Sequence, residues 1–221
     1  MDNVKAVIDR LEKEIEPLFM SDSSGHDIFH LKRVFHSAMN LQKKEGGDMM
    51  AIGVAAFLHD LHSVVQNKSG KYCSPKESLP KIKEILMKIE LPEDKIKRVL
   101  HCVEFHEEYN FSSDGKTVDD IETLIVQDAD NLDALGAVGI ARAFMYGGVN
   151  NIPMWTPKIP FGRKIFDEGK NDPSEIHHFY SKLLKLKDNM NTKTAKKIAL
   201  KKHKFLEIYL KEFFMEWNGK L

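Results

Sequence analysis

The chain has 221 residues, with 33 basic and 33 acidic side chains and a formal net charge of zero. That length allows one sizeable core, and the charge balance removes any electrostatic reason to expect a polymeric nucleic acid as partner. No run approaches the roughly 20 apolar residues that span a bilayer, so no membrane partner is expected.

Helical periodicity dominates from the first residues. Val4, Val7, Ile8, Leu11, Ile15 and Leu18 share one side of a stretch that mixes charges through its apolar positions. It reads as an amphipathic helix and not as a signal peptide. Without an export signal, Cys73 and Cys102 are expected to be reduced thiols in a cytoplasmic protein. A second helix is predicted over about 27–44, stopped by Gly46-Gly47. A third, over about 48–65, is apolar on most sides and is placed centrally.

The polar segment at about 66–75 reads as a loop, followed by helices over about 78–90 and 93–107. Ser78 is the expected cap of the first of these, with Pro80 in its opening turn. "NFSSDGKT" is a turn-rich break, after which one long helix is predicted over about 118–145, ended by Gly147-Gly148. The stretch from 147 to 172 has three prolines around Trp155 and Phe161 and is the longest irregular segment. Helices over about 174–190 and 193–217 close the chain.

No strand, internal repeat, Gly-rich phosphate loop or G-x-S-x-G elbow is found. The expected fold is all-α: one helical domain, with a core over about 22–135 and a C-terminal helical extension over about 147–221.

The chemistry sits where polar residues interrupt apolar runs. "AAFLHDLH" (55–62) drives His59 and Asp60 toward a core, where an imidazole and a carboxylate are costly unless satisfied. "GHDIFHLKRVFH" (25–36) sets His26 and His30 on one helical face, with Arg33 a turn further on. "HCVEFHEEY" (101–109) brings His101 and His106, and "QDADNLDAL" (127–135) embeds Asp128, Asp130 and Asp133 in an apolar helix. A divalent ion would satisfy the buried pair, and imidazole with carboxylate suits Mn²⁺, Fe, Ni, Zn²⁺ or Mg²⁺. His59 and Asp60 point about 100° apart on a helix and can take adjacent positions round one ion. His30 and Asp130 are the natural further ligands.

Plainer roles suit other residues. His62, His101 and His203 read as hydrogen-bonded structural histidines, His36 as a helix flank, and Asp133 as the partner of a basic residue. Arg142 is equally a structural partner for one of the acids.

The ordered set resembles the HD-domain superfamily of metal-dependent phosphohydrolases. It combines "HLKRV" (30–34), the doublet in "AAFLHD" (55–60) and a distal Asp in "QDADNLDALGA" (127–137). It is most similar to small bacterial single-domain members, also in "HHFYSKLLKLKDNMNT" (177–192). The resemblance implies His30, His59, Asp60 and Asp130 as metal ligands, with Asp128 the alternative to Asp130. It implies a distal ligand or phosphate contact at His106, a phosphate contact at Arg33, and an orienting role for His26. It also implies a nucleotide or related small phosphate ester as substrate, attacked by a metal-activated water.

In one respect the chain departs from the pattern. Some members carry acidic residues just after the doublet, whereas here "LHSVVQNKSG" has none. Asp128 and Glu107 remain as candidate bases. The alternative is a catalytically weak module that binds metal and nucleotide as a sensor. In the irregular stretch, Lys158, Arg163 and Lys164 could supply charge, and Trp155 or Phe161 could stack on a base. The plainer reading is a surface connection pinned by its aromatics.

Overall fold

In the computed structural model, residues 2–109, 111, 118–161 and 170–220 are described, and they are all-α with no strand among them. Helix α1 spans Asp2–Phe19, α2 Ile28–Glu45, α3 Met49–Leu58, α4 Leu61–Ser69, α5 Pro75–Lys88 and α6 Glu93–Phe105. Then follow α7 (Ile121–Asp133), α8 (Gly136–Val149), α9 (Glu175–Ser181), a 3₁₀ segment (Leu183–Asp188) and α10 (Lys193–Trp217).

Helix α3 is the axis of the core. Its sequence MMAIGVAAFL carries no polar side chain, and Ala51 through Leu58 are all buried. Small residues let α1 and α2 come close: a Cβ on Gly53 would lie 3.0 Å from Val4 and 3.1 Å from Phe35. The α3 N-terminus is fixed by Asp48, whose carboxylate accepts from the Met50 and Ala51 amides at 3.0 Å and pairs with Lys95. Helices α2, α6 and α7 pack round α3. The stretch Met49–Ser69 is long and apolar enough to pass as a membrane span by composition, but 72% of its most apolar 18-residue window is buried inside the protein.

Four predicted elements differ from those observed. The helix expected over 48–65 breaks at His59-Asp60, where Asp60 takes φ −96° and ψ 17°. Side-chain donors intercept backbone carbonyls there: His59 Nδ1 bonds the Ala56 carbonyl, His62 Nδ1 that of His59, and Ser63 Oγ that of Asp60. Helix α5 starts at Pro75, with Ser74 preceding it and donating twice to Glu77. Ser78 is no cap, because its hydroxyl donates back to the Pro75 carbonyl at 2.6 Å, and Pro80 lies inside the helix.

The long helix expected over 118–145 is two helices. Gly136 turns the chain at φ +74°, and a Cβ on Gly139 would come within 2.1 Å of the Ala134 carbonyl oxygen. Lys202 from α10 takes up the freed carbonyls of Leu132 and Leu135. The segment 174–190 divides into α9 and the 3₁₀ turn. Helix α8 continues to Val149, through the predicted Gly147-Gly148 stop.

Candidate metal centre

Three elements bring the histidine and aspartate side chains to one place. Asp27 caps α2 by accepting from the His30 amide at 2.8 Å, which sets His30 in the first turn. The α3–α4 break presents His59 and Asp60, and the last turn of α7 presents Asp130. Three of the four expected ligands, His30, His59 and Asp130, come together, and Asp60 joins them through His30. His30 Nε2 lies 3.2 Å from His59 Nε2, 3.5 Å from Asp130 Oδ1 and 3.8 Å from Asp60 Oδ2. His59 Nε2 lies 3.6 Å from the same Asp130 oxygen. Two donor triads result, His30–His59–Asp130 and His26–His30–Asp60.

The tautomers are set from behind. His30 Nδ1 donates to Asp133 at 2.8 Å, His59 Nδ1 to the Ala56 carbonyl at 3.0 Å, and His106 Nδ1 to the Val103 carbonyl at 2.7 Å. Each Nε2 is then a lone pair facing inward. His30 and His59 cannot hydrogen-bond each other as two acceptors at 3.2 Å, and His106 Nε2 is buried without a hydrogen-bond partner. A cation resolves the first conflict. Two bonds of about 2.1 Å at a right angle put adjacent ligand atoms about 3 Å apart. Neutral imidazoles with carboxylates therefore fit a first-row divalent ion.

The electrostatics agree at His30 and at the carboxylates, whereas at His59 burial is overcome by Asp130, which raises the imidazole. Burial, reinforced by Arg142, pulls the His30 imidazole down to about 4 and keeps it neutral. Burial works against the charged form of Asp130 too, but His59, His30 and Arg142 outweigh it and hold the carboxyl well below its usual range. At Asp60 burial is likewise overcome by His26, whose Nδ1 lies 2.7 Å from Oδ2. His26 thus bonds the same Asp60 oxygen that faces His30, on the cavity side. Burial takes His106 down to about 4.

These groups open on a cavity of about 630 Å³. His62 is hydrogen-bonded to the His59 carbonyl, as expected of a structural histidine, and also belongs to the cavity wall. Its Nε2 is 3.6 Å from Glu107 and 3.8 Å from Asp60, and although burial opposes its charge, Glu107 raises it to about 9. Three imidazole or carboxylate residues within four positions, His59, Asp60 and His62, were the signal for it. Burial favours the neutral acid at Glu107, but His62 brings its carboxyl down to about 2.

Two expected site residues are not brought to the cavity. Arg33 lies outside its wall, with Nε and Nη2 on Asp133 at 2.9 and 3.0 Å. It shares a helical face with His30, so it meets the carboxylate that already holds that imidazole. Arg142 lines the cavity instead, bonding the Gly25 carbonyl at 2.8 Å and Asp133 at 3.1 Å. Asp128 is fully buried on the other side of α7, where it accepts from the Asn191 and Thr192 amides at 2.7 and 2.8 Å. Residues two positions apart on a helix point about 200° apart, so Asp128 and Asp130 face different sides of α7.

His101 pairs with Asp120 and His203 with Glu207, in keeping with structural roles. Trp155 and Phe161 do not line the cavity. They stack on each other at 5.0 Å, against His177, and Trp155 also meets Phe214. Lys158 is likewise outside the wall, and Arg163 and Lys164 lie outside the described residues.

Residues 28–135 match the HD domain family. The chain is 32% identical to the Bacillus subtilis protein YpgQ over 208 residues, 93% of this chain and 91% of that one. The crystal structure of YpgQ in complex with ADP superposes with a TM-score of 0.67 at 32% identity, covering 95% of this chain and 99% of that one. A crystal structure of an HD-superfamily hydrolase from Bacillus thuringiensis gives a TM-score of 0.70 at 36% identity, covering 97% and 98% of the two chains. A Lactobacillus plantarum protein gives a TM-score of 0.80 at 27% identity over 96% of each chain.

Proposed function

The chain belongs to the HD-domain superfamily of metal-dependent phosphohydrolases, and from that premise we propose that it hydrolyses a nucleotide with His30, His59, Asp60 and Asp130 as its metal ligands. The observation that carries the reading is the pair of facing Nε2 lone pairs, 3.2 Å apart and flanked by two carboxylates. The ADP complex of YpgQ supports a nucleotide as the ligand class. The free thiols of Cys73 and Cys102 suit a cytoplasmic setting.

A divalent ion held by these residues supplies Lewis-acid activation of water and of a phosphoryl oxygen. The chain's own groups do the rest. Asp133 and the Ala56 carbonyl keep the Nδ1 protons of His30 and His59 turned away, so both Nε2 atoms stay available. Arg142 faces the cavity with a fixed charge for the phosphate. Glu107 keeps His62 charged, and His62 Nε2 then holds a proton that can be donated to a phosphate oxygen. His106 Nε2 is a further lone pair that can coordinate the ion or accept from water.

The test is phosphate and pyrophosphate release from a nucleotide panel with Mn²⁺, wild type beside Asp60→Ala. Release by wild type alone supports the reading. Nucleotide bound by wild type but recovered intact would replace it with the sensor reading, which the missing carboxylate after the doublet favours.

A further inference from the structure

The cavity has a second end, built differently from the first. From His30 the wall runs through His26, 5.7 Å away between ring centroids, to Tyr146, 6.0 Å further. Beyond Tyr146 stands Glu175, in the first turn of α9 behind the cap Ser174. Its backbone is pinned by the Glu175 amide donating to the Pro153 carbonyl and the Ile176 amide to that of Met154.

Glu175 is only 3% exposed, its side chain has no hydrogen-bond or ion-pair partner among the described residues, and it forms part of the cavity wall. Its oxygens are not among the buried atoms sealed off from solvent, so they open on the cavity, where a ligand can reach them. Its neighbour Asp172, by contrast, is satisfied by Ser181 Oγ at 2.6 Å and His178 Nδ1 at 3.2 Å.

The seat of Glu175 is shaped for it. A Cβ on Gly147 would lie 2.5 Å from Glu175 Cγ and 2.7 Å from Oε1. Glycine inside a helix is unfavourable, and here it leaves the space that the carboxyl group fills.

The ligand part that belongs here carries hydrogen-bond donors, which a carboxylate accepts and an ionised phosphate lacks. In a nucleotide whose phosphate lies at the metal end, the next group along is the sugar. A carboxylate accepting from ribose hydroxyls is the solution dinucleotide-binding folds use. Building on the nucleotide reading above, we infer that Glu175, seated against Gly147, accepts the hydroxyls of the substrate ribose and selects for a sugar that carries them. Burial, with Asp172 adding to it, holds this carboxyl at about 7, in keeping with a group still lacking its partner.

The experiment compares ADP with 2′,3′-dideoxyADP by thermal-shift titration in Mn²⁺, on wild type, Glu175→Ala and Gly147→Ala. The second variant keeps the carboxylate but displaces it, and melting of each free protein checks its fold. The expected result is about tenfold weaker ADP binding in both variants, with less than about a twofold change for dideoxyADP. Equal weakening of both nucleotides, or no change in either, overturns the ribose role while wild-type binding of ADP leaves the nucleotide reading standing. Wild type that binds neither nucleotide overturns both.

Discussion

Helix α7 carries two carboxylates two residues apart, Asp128 fully buried and Asp130 partly exposed, and they live in different surroundings. Asp128 faces the start of α10, where backbone amides of Asn191 and Thr192 satisfy it. Asp130 faces inward-turned imidazole lone pairs and the cavity. One carboxylate ties the C-terminal helix to the core, and the other is left for chemistry. The same contrast separates the two aromatic- and histidine-rich regions. Round Trp155 the groups satisfy one another, His177 included, through Ser174 and the Ile159 carbonyl. Round His30 they do not. A functional site is marked less by which residues gather than by which remain unsatisfied after folding.

The largest effect is expected at Asp130. Asp130→Asn should lower metal-dependent hydrolysis by on the order of a thousandfold with little change in melting temperature. Full activity in this variant would break the division of labour on α7. Asp128→Ala should do the reverse. It strands two buried amides and should cost about 3 kcal/mol in urea unfolding, while the folded fraction retains its metal. Loss of metal at unchanged stability would put Asp128 back at the site.

Asp133→Asn tests the support behind His30. The imidazole loses the carboxylate that orients it, and Arg33 and Arg142 lose theirs. Metal affinity measured by chelator competition should fall about 10- to 100-fold.

The smallest effect lies at the far end of the cavity. Burial and Asp172 raise the Glu175 carboxyl to about 7, above its unfolded value. A raised acid contributes stability that is present at low pH and lost as pH rises through the folded pKa. Tyr146, Asp172 and His178 surround it. Between about pH 5 and 8, Glu175→Gln should unfold with a flatter pH dependence than wild type. Parallel curves would show that another group carries the slope.

Much of the site was legible because its spacing is helical. His59-Asp60 ends an apolar run that must enter a core, and His30 opens a helix, although His26 lies ahead of the cap Asp27 and not on the helical face expected of it. Arg33 was misplaced because shared face predicts proximity, not partner, and Asp133 claims the guanidinium. The helix breaks at His59-Asp60 and at Leu135-Gly136 were missed because periodicity continues across both. Their causes are local carbonyl capture in one case and a positive-φ glycine supported by Lys202 in the other.

The sequence by itself determined an all-α chain, its buried helix α3 and the side chains that gather round His30, since periodicity and the placing of polar residues in apolar runs are local properties. Only the tertiary structure decided that Asp130 and not Asp128 faces the cavity, that Arg142 and not Arg33 lines it, and that His62, Glu107 and Glu175 complete its wall. Those assignments depend on which partner reaches each group first, and the partners come from helices far apart in the chain.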